Sequence, residues 1–330
     1  MCENSLPRPP EAVVRRLAQA RSLLVVTHAR PDGDGLGSMS GLVRSARLAG
    51  KAARGLLGDA MPERYTFLFG DEPPAGAAES AALADQADLI VVVDTCAYAQ
   101  LDGLADVLRA RRDKVLVLDH HVGGDDLGCL VWQDSSAAAA GVLVDEVLQA
   151  LAWPTDLHVA EALAVALTTD TGWLRFSNTD ARALRCLARL LEAGLHMDRL
   201  FQRLYQNDRV ERIRLMTRML ESLRLHCGGR LATMVIRHAD FNAVGARFDE
   251  TENLVNEPMR LACVEVAILA VENTECVRVS LRSREKVDVA AIARRFGGGG
   301  HRRAAGLRLQ QDVDELMGQL VQVCQAELGC

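Results

Sequence analysis

Three separate stretches, "SLLVVTHARPDGDG", "ADLIVVVDTCAY" and "DKVLVLDHHVGG", run as unbroken apolar β-formers into acidic or histidine residues, with helical patterns between them. Strands that are apolar at consecutive rather than alternate positions need cover on both faces, which is the condition of a parallel sheet wrapped by helices. In such sheets ligands bind beyond the carboxyl ends of the strands. The three runs therefore deliver polar chemistry to one edge. A fourth polar cluster, "TTDTGWLRFSNT", ends an alanine-rich helical stretch and belongs with them. The expected N-terminal domain is α/β, with a parallel doubly wound sheet.

The pattern changes further along. "ARALRCLARLLEAGL" and "MDRLFQRLYQNDRVERIRLMTRMLESL" are strongly helical, and the second has the charge and length of a connector that contains the domain boundary. From about Arg230 come strands at "LATMVIR", "VEVAILAVE" and "CVRVSLRS", a helix at "VDVAAIARRF", and then "GGGGHRRAAG". The expected organisation is a metal-binding domain over 1–196, a helical linker over 197–224 and a smaller mixed α/β domain over 225–330. A chain of 330 residues is long enough for two cores.

Composition narrows the function. Aromatic residues make up 4% of the chain and the net charge is −6, so neither a row of base-stacking rings nor a broad basic field is available for long nucleic acid. Any phosphate ligand must be caught by a local positive site. The nine cysteines show no CxxC pair or regular framework and read as free thiols of a reducing compartment. No apolar run approaches the roughly 20 residues of a membrane span, and no signal-peptide core is evident. The expectation is a cytoplasmic protein with no membrane partner, and a homodimer is left open.

The candidate site residues are His28, Asp32 and Asp34 after the first run, Asp94 after the second, Asp119, His120 and His121 after the third, and Asp170 in the fourth cluster. Carboxylates with imidazoles suit a hard-to-borderline divalent ion such as manganese. Each has a plainer reading alone: Asp34 as a helix cap, Asp94 as a cap for the next helix, Asp170 as a helix-terminal turn. Adjacent histidines on a strand point to opposite faces, but at a strand end they can splay toward one pocket. Asp119 is placed to accept the other N–H of a ligating imidazole. Ser38 and Cys96 read as loop or packing material.

The order of "THARPDGDGLGS", "VVVDT", "LDHH", "TTDTGWLRFSNT", "SLRS" and "FGGGGHRRAAG" resembles the DHH phosphoesterases with their DHH-associated C-terminal domain. The nanoRNase and pAp phosphatase branch, similar to the RecJ exonucleases but smaller, is the nearest in pattern. The resemblance implies two manganese ions, with magnesium or cobalt as substitutes. His28, Asp32 and Asp94 would hold one ion, and Asp34, Asp94, His120 and Asp170 the other, with Asp94 as the bridge. His121 would face the scissile phosphate and Asp119 would support it. Arg282, Gly298, Gly299, Gly300 and His301 would grip the substrate's terminal phosphate or nucleotide. The implied activity is hydrolysis of short oligoribonucleotides, including dinucleotides such as pGpG and pApA, to mononucleotides, with the substrate entering a cleft between the domains. Alternatives are a phosphatase acting on 3′-phosphoadenosine 5′-phosphate (pAp), an inorganic pyrophosphatase, and a nucleotide sensor without catalysis. Two positions depart from the family pattern: Gly124 stands where asparagine is common, and Asn253 where glycine is frequent.

Overall fold

The structure, a computed structural model, describes residues 9–330, apart from the side chain of His301. The chain divides into two compact units, Met1–Gln206 and Asn207–Cys330.

The first unit holds six strands: β1 (Ser22–Val26), β2 (Ala52–Leu57), β3 (Ala75–Gly76), β4 (Leu89–Val93), β5 (Val115–Asp119) and β6 (Leu130–Gln133). They form one sheet in the order β3-β2-β1-β4-β5-β6, and every pairing is parallel. The order turns about β1 and β4, so the crevice beyond their carboxyl ends is the switch point where a doubly wound sheet binds ligands. Its helices are α1 (Glu11–Gln19), α2 (Gly33–Leu48), α3 (Ser80–Gln86), α4 (Ala105–Arg109), α5 (Ala140–Leu151), α6 (Leu157–Asp170), α7 (Ala181–Glu192) and α8 (Met197–Tyr205).

Unbroken apolar strands have the physical consequence expected of them. Leu89, Val91 and Val93 of β4 enter one core with α2, α5 and α6, while Ile90 and Val92 enter a second core with Ala84, Leu104 and Leu108. Burying each such side chain contributes about 1.5–3 kcal/mol. Helix α2 lies against α6 along a stripe of Gly33, Gly37 and Gly41. A Cβ on Gly37 would strike the Ala162 carbonyl, and one on Gly41 would meet Leu163. This close approach brings the start of α2 to the end of α6, and so Asp34 toward Asp170.

The second unit has strands β7 (Arg224–His226), β8 (Leu231–Ile236), β9 (Val266–Glu272), β10 (Val277–Ser283), β11 (Gly299–His301) and β12 (Ala304–Leu309). They form a mixed sheet in the order β11-β12-β10-β9-β8-β7, in which only the β8–β9 pair is parallel. Helices α9 (Val210–Glu221), α10 (His238–Val244), α11 (Val289–Arg295) and α12 (Val313–Leu328) cover it.

The connector is helical in two pieces, α8 and α9, broken across residues 206–209 where the polar "QNDR" offers no apolar face to continue the packing. One sequence expectation is corrected, the all-thiol reading: Cys227 and Cys330 form a disulfide with their Cα atoms 5.6 Å apart. A separation of 103 positions along the chain hid the pair. Packing of α12 brings the chain end to the turn after β7, where the Arg230 guanidinium donates to the Leu328 carbonyl at 2.8 Å. The other described cysteines are free. Replacing Cys330 with Ser is expected to lower stability by about 2–4 kcal/mol, because a bridge closing a long loop restricts the unfolded chain. Urea unfolding of the two proteins side by side measures this, and reductant should move only the parent.

Candidate metal centre

Asp94 follows β4 directly and takes a left-handed backbone, φ 64°, which aspartate tolerates better than most residues. Its N–H donates to the Leu118 carbonyl at 3.0 Å, fixing the turn at the switch point. Three imidazoles converge on its carboxylate. His28 Nε2 lies 3.3 Å from Oδ2, His120 Nε2 3.4 Å from Oδ1, and His121 Nδ1 3.8 Å from Oδ1. His120 and His121 lie past the end of β5, and their rings are edge to face with centroids 4.6 Å apart. The strand-end splay is thus present.

The other carboxylates complete the cluster. His28 Nε2 is 3.6 Å from Asp32, and His120 Nε2 is 3.5 Å from Asp34 and 3.4 Å from Asp170. Oxygen or nitrogen atoms of His28, Asp32 and Asp94 lie close enough to share one ion, as do those of Asp34, His120 and Asp170, and of Asp94, His120 and His121. The rear nitrogens are engaged: His28 Nδ1 lies 2.9 Å from the Ala29 carbonyl and His120 Nδ1 3.2 Å from that of Ala137. This fixes each Nε2 as the nitrogen that faces the carboxylates. No lysine or arginine forms an ion pair with these four carboxylates among the described residues. Asp94 Oδ1 is buried without a hydrogen-bond partner. A dense set of oxygen and nitrogen donors with an orphaned buried carboxylate oxygen fits one or more divalent cations.

Proton affinities report the same strain. Burial pulls the His28 imidazole down, yet Asp32 and Asp94 overcome it and hold it at about 11. His120 is likewise lowered by burial and raised by Asp94, Asp34 and Asp170, to about 10. Burial, helped by Asp94 and opposed by His120, pushes Asp170 up to about 7. Asp34 is also raised, by burial and by its Asp94 and Asp170 neighbours. Asp94 is driven up by burial but held below the usual carboxylate range by His120 and His28. Without a cation, protons do the work of neutralising the cluster. Metal and protons must therefore compete. Manganese affinity is expected to climb from pH 6 to pH 9, by about tenfold per pH unit for each proton displaced. Calorimetry in two buffers of different ionisation enthalpy would reveal that release.

One assignment within the loop changes. Asp32, not Asp34, caps α2, accepting from the N–H groups of Asp34 at 3.0 Å and Gly35 at 3.2 Å. Asp34 points into the fold instead. It accepts from the N–H groups of Ala140 at 2.6 Å and Gly141 at 3.0 Å, at the start of α5, and from the Ser38 hydroxyl at 3.1 Å. Sequence reasoning passed over this support, although the switch from "DSSA" to an alanine run marked a helix start. Asp119 is fully buried and takes the His121 ring nitrogen at 2.8 Å, the His121 N–H at 3.2 Å and the Gln133 side-chain amide at 3.2 Å. Gln133 was not foreseen. Gly124, φ 146°, packs on Cys96, whose carbonyl a Cβ would meet at 2.5 Å, so no asparagine fits this backbone. Asn253 takes φ 63°, a conformation that favours glycine and that asparagine also adopts.

In the second unit Arg282 lies on β10 opposite Ala304 of β12, which in turn faces His301 of β11. Its guanidinium donates to the Leu281 carbonyl at 3.1 Å, and burial alone holds it below the usual arginine value. Gly298 is locked against Leu307, Gly300 has φ 133°, and nothing stands above Gly299. Such a guanidinium beside bare backbone suits an anion.

Comparison with known proteins now adds to this geometry. Residues 22–169 match the DHH family, N-terminal domain, and residues 232–328 match the DHHA1 domain. The chain belongs to the DHH family. It is 31% identical over 308 residues to the bifunctional oligoribonuclease and PAP phosphatase NrnA of Thermus thermophilus, covering 93% of this chain and 90% of that protein. Among solved structures, an exopolyphosphatase-related protein from Bacteroides fragilis superposes with a TM-score of 0.90 at 22% identity, covering 96% of this chain and 94% of its own. RecJ from Thermus thermophilus, in complex with Mn2+, gives 0.57 at 15% identity, over 97% of this chain and 55% of that one. These two likenesses speak for the DHH fold.

If Asp119 orients His121, Asp119→Asn should cut turnover by about 10–100-fold, the usual size of such supporting contacts, with bound manganese little changed. Steady-state rates alongside metal analysis would separate this from a ligand's loss.

Proposed function

We propose that this chain is a manganese-dependent phosphoesterase that hydrolyses short oligoribonucleotides to mononucleotides and also dephosphorylates pAp. The observation that carries the reading is Asp94, a buried carboxylate whose Oδ1 has no hydrogen-bond partner and which lies between two groups of metal-ligand side chains. His28, Asp32 and Asp94 would hold one ion, and Asp34, Asp94, His120 and Asp170 a second. Such a pair of ions supplies a water of lowered pKa and stabilises the charge that develops on the phosphate during in-line displacement.

The chain's own residues would do the rest. The N–H groups of Ala140 and Gly141 and the Ser38 hydroxyl hold Asp34 in one orientation, so that it need not reorganise on metal binding. His121, anchored by Asp119, would direct its imidazole at the phosphate and shield its charge. The second unit would supply recognition, with Arg282, the Gly298–Gly300 backbone and His301 holding a terminal phosphate. The name of the Thermus relative, which covers both activities, supports one site acting on both esters. Among the described residues no helix is long and apolar enough to cross a membrane. The compartment that suits the proposed substrates is the cytoplasm.

Purified protein with manganese should release AMP from pApA and phosphate from pAp, and EDTA should abolish both. Asp94→Asn should lose about 10²-fold or more of each activity together, as expected when a group that organises transition-state charge is removed. Metal-loaded protein that leaves pApA, pGpG and pAp intact would sink the reading.

A further inference from the structure

One face of β10 carries arginines that form no ion pair with a carboxylate among the described residues. Alternate residues of a strand line one face. Val277, Val279 and Leu281 are buried in one core, so Arg278, Ser280 and Arg282 share the opposite face. On β12, Arg308 stands directly across from Arg278, Gly306 from Ser280 and Ala304 from Arg282. Strand β11 adds Gly299 beside Gly306. A Cβ on Gly299 would meet nothing, and one on Gly306 only the Val279 carbonyl. The face is a trough with a bare glycine floor and cations at both ends.

Like charges directly opposite in a sheet repel. Arg278 and Arg308 are such a pair, and among the described residues neither has an ion pair with a carboxylate. Arg278 is held in place all the same. Its guanidinium stacks 4.7 Å over the Phe248 ring and donates to the Thr251 hydroxyl, while its Nε is buried without a partner. Burial and then the field of Arg308, against that of Glu252, keep its proton affinity below the usual arginine value. A pre-positioned, half-buried guanidinium facing a second arginine is an arrangement that an anion stabilises.

We propose that Arg278 and Arg308 form a second phosphate subsite, which takes a phosphate of the substrate beyond the one held by Arg282. It rests on the reading that Arg282 grips a substrate phosphate. Four residues along a strand put the two ends about 13 Å apart, too far for one phosphate and suited to two on a single chain. pAp has too few phosphates to fill both ends and the metal centre. A substrate with more can do so, whether the extra phosphate belongs to a further nucleotide or to a terminal triphosphate. The enzyme would then prefer longer or more highly phosphorylated 5′ ends, and that preference would reside in the second unit.

The test uses the full-length manganese enzyme and three substrates: pAp, pApApA with a 5′-monophosphate, and pApA with a 5′-triphosphate. Arg308 is exposed, so R308Q leaves the cores untouched. Losing one charge-assisted contact should raise KM by about tenfold for pApApA, for the triphosphate, or for both, relative to the change for pAp. The substrate affected identifies the source of the phosphate. R308K should restore most of the loss, and the salt dependence of KM on the affected substrate should fall by roughly 0.7 of a log unit per log unit in R308Q. Equal changes on all three substrates, or none, would overturn the proposal. R282Q tests the underlying reading separately: a rise in KM for all three supports it, and no rise refutes Arg282 as a phosphate grip whatever R308Q does.

Discussion

Negative charge packed around Asp94 is the constraint that the first unit is built to satisfy. Four carboxylates and three imidazoles meet around Asp94, whose buried Oδ1 accepts no hydrogen bond. Removing such groups from water is costly, and their mutual repulsion adds to the cost in a medium of low dielectric. The surrounding fold offsets part of it through the two N–H groups of α5 on Asp34 and the cap interactions of Asp32. The remainder falls to protons or to cations. The energetics as well as the residue types therefore fit a bound cation.

The doubly wound sheet makes such a concentration possible. Strands β1 and β4 are neighbours at the point where the winding turns, so the segments after them leave in opposite directions and open a crevice. His28 and Asp94 follow those two strands, and the β5 end adds the histidine pair. Glycines at the α2–α6 contact then let the last carboxylate, Asp170, come near. A methyl group at Gly37 would push the two helices apart and Asp170 away from His120. Packing far from the chemistry sets the ligand distances.

The second unit shows the same logic with the opposite sign. Among the described residues Arg278, Arg282 and Arg308 form no ion pair with a carboxylate where strand register gathers them on one face, just as Asp32, Asp34, Asp94 and Asp170 form none with a lysine or arginine. A net charge of −6 conceals both features. Uncompensated negative charge calls for a metal ion, and uncompensated positive charge calls for phosphate. Together they fit the proposed phosphoesterase, whose ligand would be caught by local positive charge rather than by the field of the whole chain.

Some of this was legible in the chain. Unbroken apolar runs ending in "THARPDGDG", "VVVDT" and "LDHH" require a sheet covered on both faces, and such a sheet sends its strand ends to one edge. That local physics suffices for the fold class and for the convergence of His28, Asp94 and His120. Other features depend on contacts between residues far apart in the chain. Asp32 and Asp34 are alike in sequence, and only the position of α5 makes one a cap and the other a buried partner of Ala140 and Gly141. The Cys227–Cys330 bridge and the Arg278–Arg308 pair likewise arise from packing and strand register. Periodicity determines which face a side chain takes, whereas its partners are decided by which distant segment the fold lays against it.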